Sequence, residues 1–302
     1  MSLIYVKELF TSLEKLKQLE KVYIVGHRIY DVDCFVSTKI LSDIFKEFNI
    51  NAIPAILTDI NNVPKETLLL VDKMDLDIND FEYIKDVSDK HFILVDHSDR
   101  HQSIGDRGFV ELIIDHHPPY GISEGFISVK SNSTALLILR LFAYSYKFSA
   151  KQEYDVLLSS LIDTCFLRNS KVVDEEYPLM DFLSMKLDVN KLEDEFFLES
   201  NFSLPTEKLF RNGIKEHSIG SKVICSSYVE TKSKSNSDKI EELVKHMGTI
   251  NEDWIFIVIN FDVGITEVYI KKGTDVSKIS LEGMLSRGTD IIPMIKKMKI
   301  WQ

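Results

Sequence analysis

Cysteine is scarce in this chain: three in 302 residues, Cys34, Cys165 and Cys225, far apart and without a Cys-x-x-Cys pair. A scattered, odd set argues against a disulfide framework and fits a reduced, cytoplasmic compartment. Glycine is sparse too, at 12 residues, and no glycine-rich motif carrying a histidine is found. Positive charge is outweighed: 36 Lys and Arg against 47 Asp and Glu leave a net charge of -11. That balance argues against a long nucleic acid as partner, because extended backbone contact needs a basic surface. A small anionic substrate held through metal remains compatible with it. No apolar run approaches the roughly 18 residues that a membrane span needs, so no membrane partner is expected. The stretch Met1–Glu20 is amphipathic and rich in Lys and Glu, and is not expected to be a secretion signal. No repeat of fixed period is present.

What is present is an ordinary globular composition, 44% hydrophobic and 27% charged, in a chain long enough for one large or two ordinary domains. Its most informative feature is a pattern. Val110-Glu111-Leu112-Ile113-Ile114 runs into Asp115-His116-His117. Lys21-Val22-Tyr23-Ile24-Val25 runs into Gly26-His27-Arg28 and then Asp31-Val32-Asp33. His91-Phe92-Ile93-Leu94-Val95 runs into Asp96-His97. Three apolar strands thus deliver Asp or His at the same end, where open α/β sheets place their ligands.

Between these runs, residues 34–48 carry apolar side chains at helical spacing. Further strand candidates are 52–57 and 67–71, and helices are expected over 133–146 and 152–166. From Tyr177 to about Ser200 the pattern is helical and acidic, and residues 201–205 read as a break. Beyond it, strands are expected at 222–228, 254–261 and 265–270, a polar loop at 231–237, and a helix over 237–248 ending on a Gly248 cap. The fold class expected is α/β: a mainly parallel sheet with helices on both faces, followed by a smaller C-terminal α+β domain. The domains are 1–195 and 205–302.

His27, Asp31 and Asp33 stand at a strand-to-helix junction with spacings of four and two. Carboxylate oxygens with imidazole nitrogens suit Mn, Mg, Co or Zn. Either aspartate could instead cap the following helix, and Asp96 could be a turn acid. Asp163 lies in an apolar helix, where a lone acid is costly to bury without a cation. His97 reads as a packing residue or a support for the ligands, and His91 and His101 as surface or core histidines.

The order Gly26-His27-Arg28-x-x-Asp31-Val32-Asp33, Val95-Asp96-His97, Asp115-His116-His117 and Leu161-Ile162-Asp163-Thr164 resembles the DHH phosphoesterase superfamily. Ser131-Asn132-Ser133-Thr134-Ala135 resembles the Ser-Thr helix start that follows the third motif there. Without the glycine-rich histidine motif, the chain is more similar to the branch of family II inorganic pyrophosphatases and related exopolyphosphatases. Ser286-Arg287-Gly288 with Pro293 resembles that branch's Ser-Arg-Lys motif, lacking its lysine. Lys208 in Glu207-Lys208-Leu209-Phe210 is similar to a second family lysine.

The resemblance implies two divalent metal ions, Mn preferred and Mg or Co compatible. One would be held by His27, Asp31 and Asp96, and the other by Asp33, Asp96, His116 and Asp163, with Asp96 bridging. Asp115 would orient its neighbours, His117 would meet and protonate the phosphate, and Lys208 and Arg287 would bind substrate. It implies hydrolysis of pyrophosphate or short polyphosphate. A phosphodiesterase acting on short oligonucleotides or cyclic dinucleotides, or a non-catalytic regulatory protein, are the other readings. A homodimer is compatible with each. Three departures stand out: Ile29-Tyr30 replaces the family's Asn-Pro, Cys34 a small hydroxyl residue, and Ser98 an asparagine.

Overall fold

A computed structural model describes residues 3–118, 125–185, 187–197, 202–232 and 234–301. The chain divides into two compact units, one of residues 1–166 with 172–196 and one of 167–171 with 197–302.

The first unit is built on a six-stranded sheet in the order β3-β2-β1-β4-β5-β6. Its strands are β1 (Val22–Val25), β2 (Ala52–Ile56), β3 (Glu82–Tyr83), β4 (His91–Val95), β5 (Phe109–Asp115) and β6 (Phe126–Ser128). Every pairing between them is parallel. β1 is buried along its whole length and β4 at all but His91, which explains unbroken apolar runs in place of alternation. The helices are α1 (Leu3–Leu16), α2 (Val32–Glu47), α3 (Lys65–Lys73), α4 (Thr134–Phe142), α5 (Ala150–Asp163), α6 (Tyr177–Ser184) and α7 (Val189–Phe196). α2, α4 and α5 pack on one another, and α1 packs on β5 and β6.

The strand order has a physical consequence for the site. The chain runs outward from β1 to β2 and β3, then returns to place β4 on the other side of β1. The connections therefore diverge between β1 and β4, opening a crevice at their C-terminal ends. His27 follows β1 and Asp96 follows β4.

The second unit holds α8 (Thr206–Phe210), α9 (Ser237–Thr249), α10 (Ile292–Lys297) and a five-stranded sheet in the order β11-β10-β9-β8-β7. These strands are β7 (Lys215–Ile219), β8 (Lys222–Thr231), β9 (Trp254–Asn260), β10 (Ile265–Lys272) and β11 (Asp275–Glu282). The pairing is antiparallel except between β8 and β9, which α9 connects in parallel. Its core gathers Leu209, Phe210, Trp254 and Phe256.

Three expectations are corrected. Residues 67–71 are not a strand but lie in α3. Its leucines are unbranched at Cβ and favour helix, Pro64 stands at its N-cap, and Leu69 is exposed while Leu70 and Val71 are buried. Gly248 does not cap α9, which runs to Thr249 before Ile250 turns extended. The acidic stretch after Tyr177 is two helices, α6 and α7. Lys186, residues 198–201 of the expected helix end and break, and Ser233 of the polar loop lie outside the described residues.

Candidate metal centre

The β1–α2 junction is shaped by Tyr30 and Asp31. Tyr30 is fully buried; its hydroxyl accepts from Gly26 N at 2.7 Å and donates to Ala55 O at 2.6 Å. It thereby ties the loop carrying His27 to β2. Asp31 is the N-cap of α2, with Oδ1 accepting from Cys34 N at 3.0 Å. Its other oxygen lies 3.3 Å from His27 Nε2. The cap and ligand readings of Asp31 are thus compatible, one oxygen serving each.

Asp96 is 2% exposed and adopts a left-handed backbone with φ 63. Such a conformation is uncommon outside glycine and persists where surroundings impose it. Here it turns the carboxylate across the crevice. Oδ2 lies 3.5 Å from His27 Nε2 and 3.4 Å from Cys34 Sγ. Oδ1 lies 3.3 Å from His116 Nε2, 3.6 Å from His117 Nδ1 and 3.2 Å from Thr134 Oγ1. Two donor groups result, His27 with Asp31, Cys34 and Asp96, and Asp96 with His116 and His117, each with atoms within 4.8 Å of one another. Asp96 belongs to both.

The remaining acids take different positions. Asp163 ends α5, with Oδ2 3.6 Å from His116 Nε2. Asp33 joins neither donor group and instead faces the first turn of α4. Its Oδ2 accepts from Thr134 N at 2.7 Å, and its Oδ1 from Ala135 N, Ser159 Oγ and Ser37 Oγ. A carboxylate at a helix N-terminus is favoured by the helix dipole. Oδ2, with one donor, keeps a lone pair for a further partner.

The histidines are oriented by their outer nitrogens. His116 Nδ1 donates to Ser131 O at 2.9 Å, which leaves Nε2 to meet a cation or hold a proton. That atom is buried, has no hydrogen-bond partner, and faces the oxygens of Asp96 and Asp163. A lone pair against carboxylate oxygens is repulsive unless a cation or proton lies between them, so these residues fit a divalent metal. Asp115 is fully buried and accepts from His117 N at 3.0 Å and His117 Nδ1 at 2.9 Å. His97 is tied down instead, between Val95 O at 2.8 Å and Ser103 Oγ at 2.7 Å. His91 pairs with Glu111, and His101 is exposed.

Protonation follows from this crowding. Burial opposes charge on His27, but Asp31 and Asp96 overcome it and raise its pKa to about 10. Burial likewise opposes His116, and Asp96 with Asp163 raises it to about 10. Burial and then repulsion from Asp96 raise Asp33 to about 8. Burial, then the charge of His27, lower His97 to about 4, so it stays neutral. Four acids and two imidazolium-prone rings in one crevice amount to a cage in which protons stand where cations belong.

Sequence reasoning missed the support behind these ligands. Glu176, buried, accepts from Ser131 Oγ and Asn132 N, both at 2.7 Å, and pairs with Arg140. It fixes the loop whose carbonyl orients His116. The serine-rich start of α4 signalled a cap; Glu176, 44 residues from Asn132, carried no local signal.

In the second unit, Lys208 is exposed on α8. Arg287 donates to Gly213 O and stacks over Tyr228, its guanidinium 5.1 Å from the ring centre. Nearby His217 is held to about 4 by burial, then by the charges of Arg287, Lys215 and Lys296. His217 thus feels three positive charges, that of Arg287 first among them. Gly288 is open: a Cβ there meets nothing within 4 Å.

Residues 21–166 match the N-terminal domain of the DHH family. This segment is a DHH family domain. Over 91% of the chain and 98% of the relative's length, the sequence is 28% identical to a manganese-dependent inorganic pyrophosphatase of Methanocaldococcus jannaschii. The fold is similar to a Methanococcus jannaschii crystal structure assigned provisionally as a family II inorganic pyrophosphatase. That match has a TM-score of 0.73 and 19% identity, over 91% of this chain and 98% of that one. An exopolyphosphatase-related protein from Bacteroides fragilis matches with a TM-score of 0.52 and 14% identity, over 98% and 96% of the two chains. In class this segment is a metal-dependent phosphoesterase domain of the DHH family. No helix among the described residues is long and apolar enough to cross a membrane.

Proposed function

We propose that this protein hydrolyses a phosphoanhydride, inorganic pyrophosphate or a short polyphosphate, using two divalent ions for which manganese is the first candidate. The observation that carries the reading is Asp96, whose two oxygens face two different donor groups. The 28% identity to a pyrophosphatase along nearly its whole length supports the substrate class. Divalent ions so held lower the pKa of an attacking water and neutralise charge on the phosphate oxygens.

The chain's own residues do the rest. His27, Asp31 and Asp96 would hold one ion, and Asp33, Asp96, His116 and Asp163 the other. His117 hydrogen-bonds or protonates the phosphate through Nε2, because its Nδ1 donates to Asp115. Arg287 and Lys208 neutralise the outer phosphate oxygens.

Phosphate release is to be measured from pyrophosphate, tripolyphosphate, long polyphosphate and dinucleotides with Mn, Co and Mg, alongside bound metal per chain. We expect phosphoanhydride cleavage with both donor groups filled, and loss of activity and of thermal stability on chelation. Turnover and melting that ignore chelation would sink the metal centre. Cleavage of dinucleotides alone would replace the substrate.

A further inference from the structure

We propose that Cys34 is a thiolate ligand of the ion held by His27, Asp31 and Asp96, and that it raises this position's affinity for cobalt and zinc relative to manganese. The proposal rests on the metal-centre reading above. Oxygen-rich sites favour Mg and Mn, whereas thiolate favours softer ions, so one sulfur changes what the site selects.

Four observations support it. The Cys34 Sγ lies with the donor atoms of His27, Asp31 and Asp96, all within 4.8 Å of one another. The separations are 3.3 Å from His27 Nε2 to Asp31 Oδ2, 3.5 Å to Asp96 Oδ2, and 3.4 Å from Sγ to Asp96 Oδ2. Ligands about 2.1 Å from a tetrahedral ion stand about 3.4 Å apart, close to these three separations. Second, Cys34 is fully buried and in no disulfide, so the thiol is not a chance surface group. Third, the loop backbone closes down on it: a Cβ at Gly26 would stand 2.5 Å from Sγ. Glycine is what lets the strand end, the histidine after it and the thiol share this space. Fourth, His116 Nε2, buried and without a hydrogen-bond partner, faces the other oxygen of Asp96, an arrangement that a cation beside the shared carboxylate would satisfy.

Without metal the thiol donates to Asp96 Oδ2. As the metal–sulfur bond forms, the Sγ proton leaves to solvent and one water is released from the ion. Oδ2 loses its S–H donor and gains the ion. Nothing is oxidised or reduced.

The test loads the whole chain with cobalt(II) and reads its spectrum. We expect visible cobalt bands together with a near-ultraviolet sulfur-to-cobalt charge-transfer band. That band should persist when Cys165 and Cys225 are both changed to serine and vanish in Cys34→Ser. In Cys34→Ser the ratio of cobalt to manganese affinity should fall by about tenfold or more, the scale on which groups around a metal act. X-ray absorption at the cobalt edge of the unaltered protein should find sulfur at about 2.3 Å, which decides the matter if the serine variant fails to fold. Bound cobalt with neither charge transfer nor a sulfur neighbour overturns the thiolate and leaves the metal centre standing. Failure to bind cobalt at all overturns both.

Discussion

Asp96 concentrates the chemistry of the site in a single side chain. It is buried, adopts a left-handed backbone, and faces two histidines with one oxygen and a third histidine with the other. Asp96→Asn keeps the shape and removes a charge wanted on both sides. We expect bound metal to fall and turnover to drop by at least about a hundredfold, in the range for disturbing a preorganised electrostatic group. The same change at exposed Asp72 should leave both unaltered; equal, small effects at the two positions would refute the bridge. His217 offers a residue-scale test in the second unit. Its neutral ring bonds to Ser226 Oγ at 2.8 Å, and burial with the neighbouring cations lowers its pKa from 6.5 to about 4. The unfolded chain therefore takes up this proton first. The stability contributed by the neutral ring is complete above pH 6.5 and is lost as pH falls toward 4. Proton NMR should place the midpoint at about 4, and Arg287→Gln should raise it; a midpoint unmoved by Arg287→Gln would remove the arginine's charge as a cause of the shift.

At the scale of elements, helix beginnings organise both units. α2 presents Asp31 and Cys34 from its first turn, and the first turn of α4 donates two backbone N–H groups to Asp33. The turn after β11 places Arg287 against Gly213 and Tyr228 but leaves its neighbour a glycine where the related motif has lysine. A hydrogen bond to a charged group contributes roughly 1.5–3 kcal/mol. One missing cation should therefore cost on the order of ten- to a hundredfold in pyrophosphate handling. Pyrophosphate has fewer other contacts than a longer chain and should suffer more. Because Gly288 faces open space, Gly288→Lys should fold normally. We expect it to raise kcat/KM for pyrophosphate more than for tripolyphosphate. The idea is falsified if both substrates are unaffected, or if the unaltered protein already works near the diffusional ceiling on pyrophosphate.

Across the whole molecule, the crowded centre makes metal-free stability depend on pH. Without cations the fold holds protons on His27 and His116 up to about 10, and on Asp33 up to about 8. The unfolded chain releases them near 6.5 and 3.8. Groups whose pKa is raised by folding stabilise below the unfolded value and lose that contribution as pH rises through the folded one. In chelator, the melting temperature should fall as pH rises from 6.5 toward 10. With manganese the slope should flatten or reverse, since the ion takes the protons' place and binds better as histidines deprotonate. A chelated protein whose melting is flat over this range would show that the cage is not what strains the fold.

Strands β1, β4 and β5, and the acids and imidazoles behind them, were legible because a buried parallel strand must be an unbroken apolar run. The sequence by itself also determined the helical α2, α4 and α5, through period and caps. Tertiary structure decided between strand and helix for residues 67–71, because a short leucine run carries no period until one face is buried. It alone assigned Asp33 to the start of α4, 101 residues away, and Glu176 to the loop behind His116. It also brought the thiol of Cys34 against Asp96, 62 residues further along the chain. Periodicity records which face of an element is buried. Which side chain lies opposite another is set by strand order and helix packing, and those depend on contacts between distant segments that no local window contains.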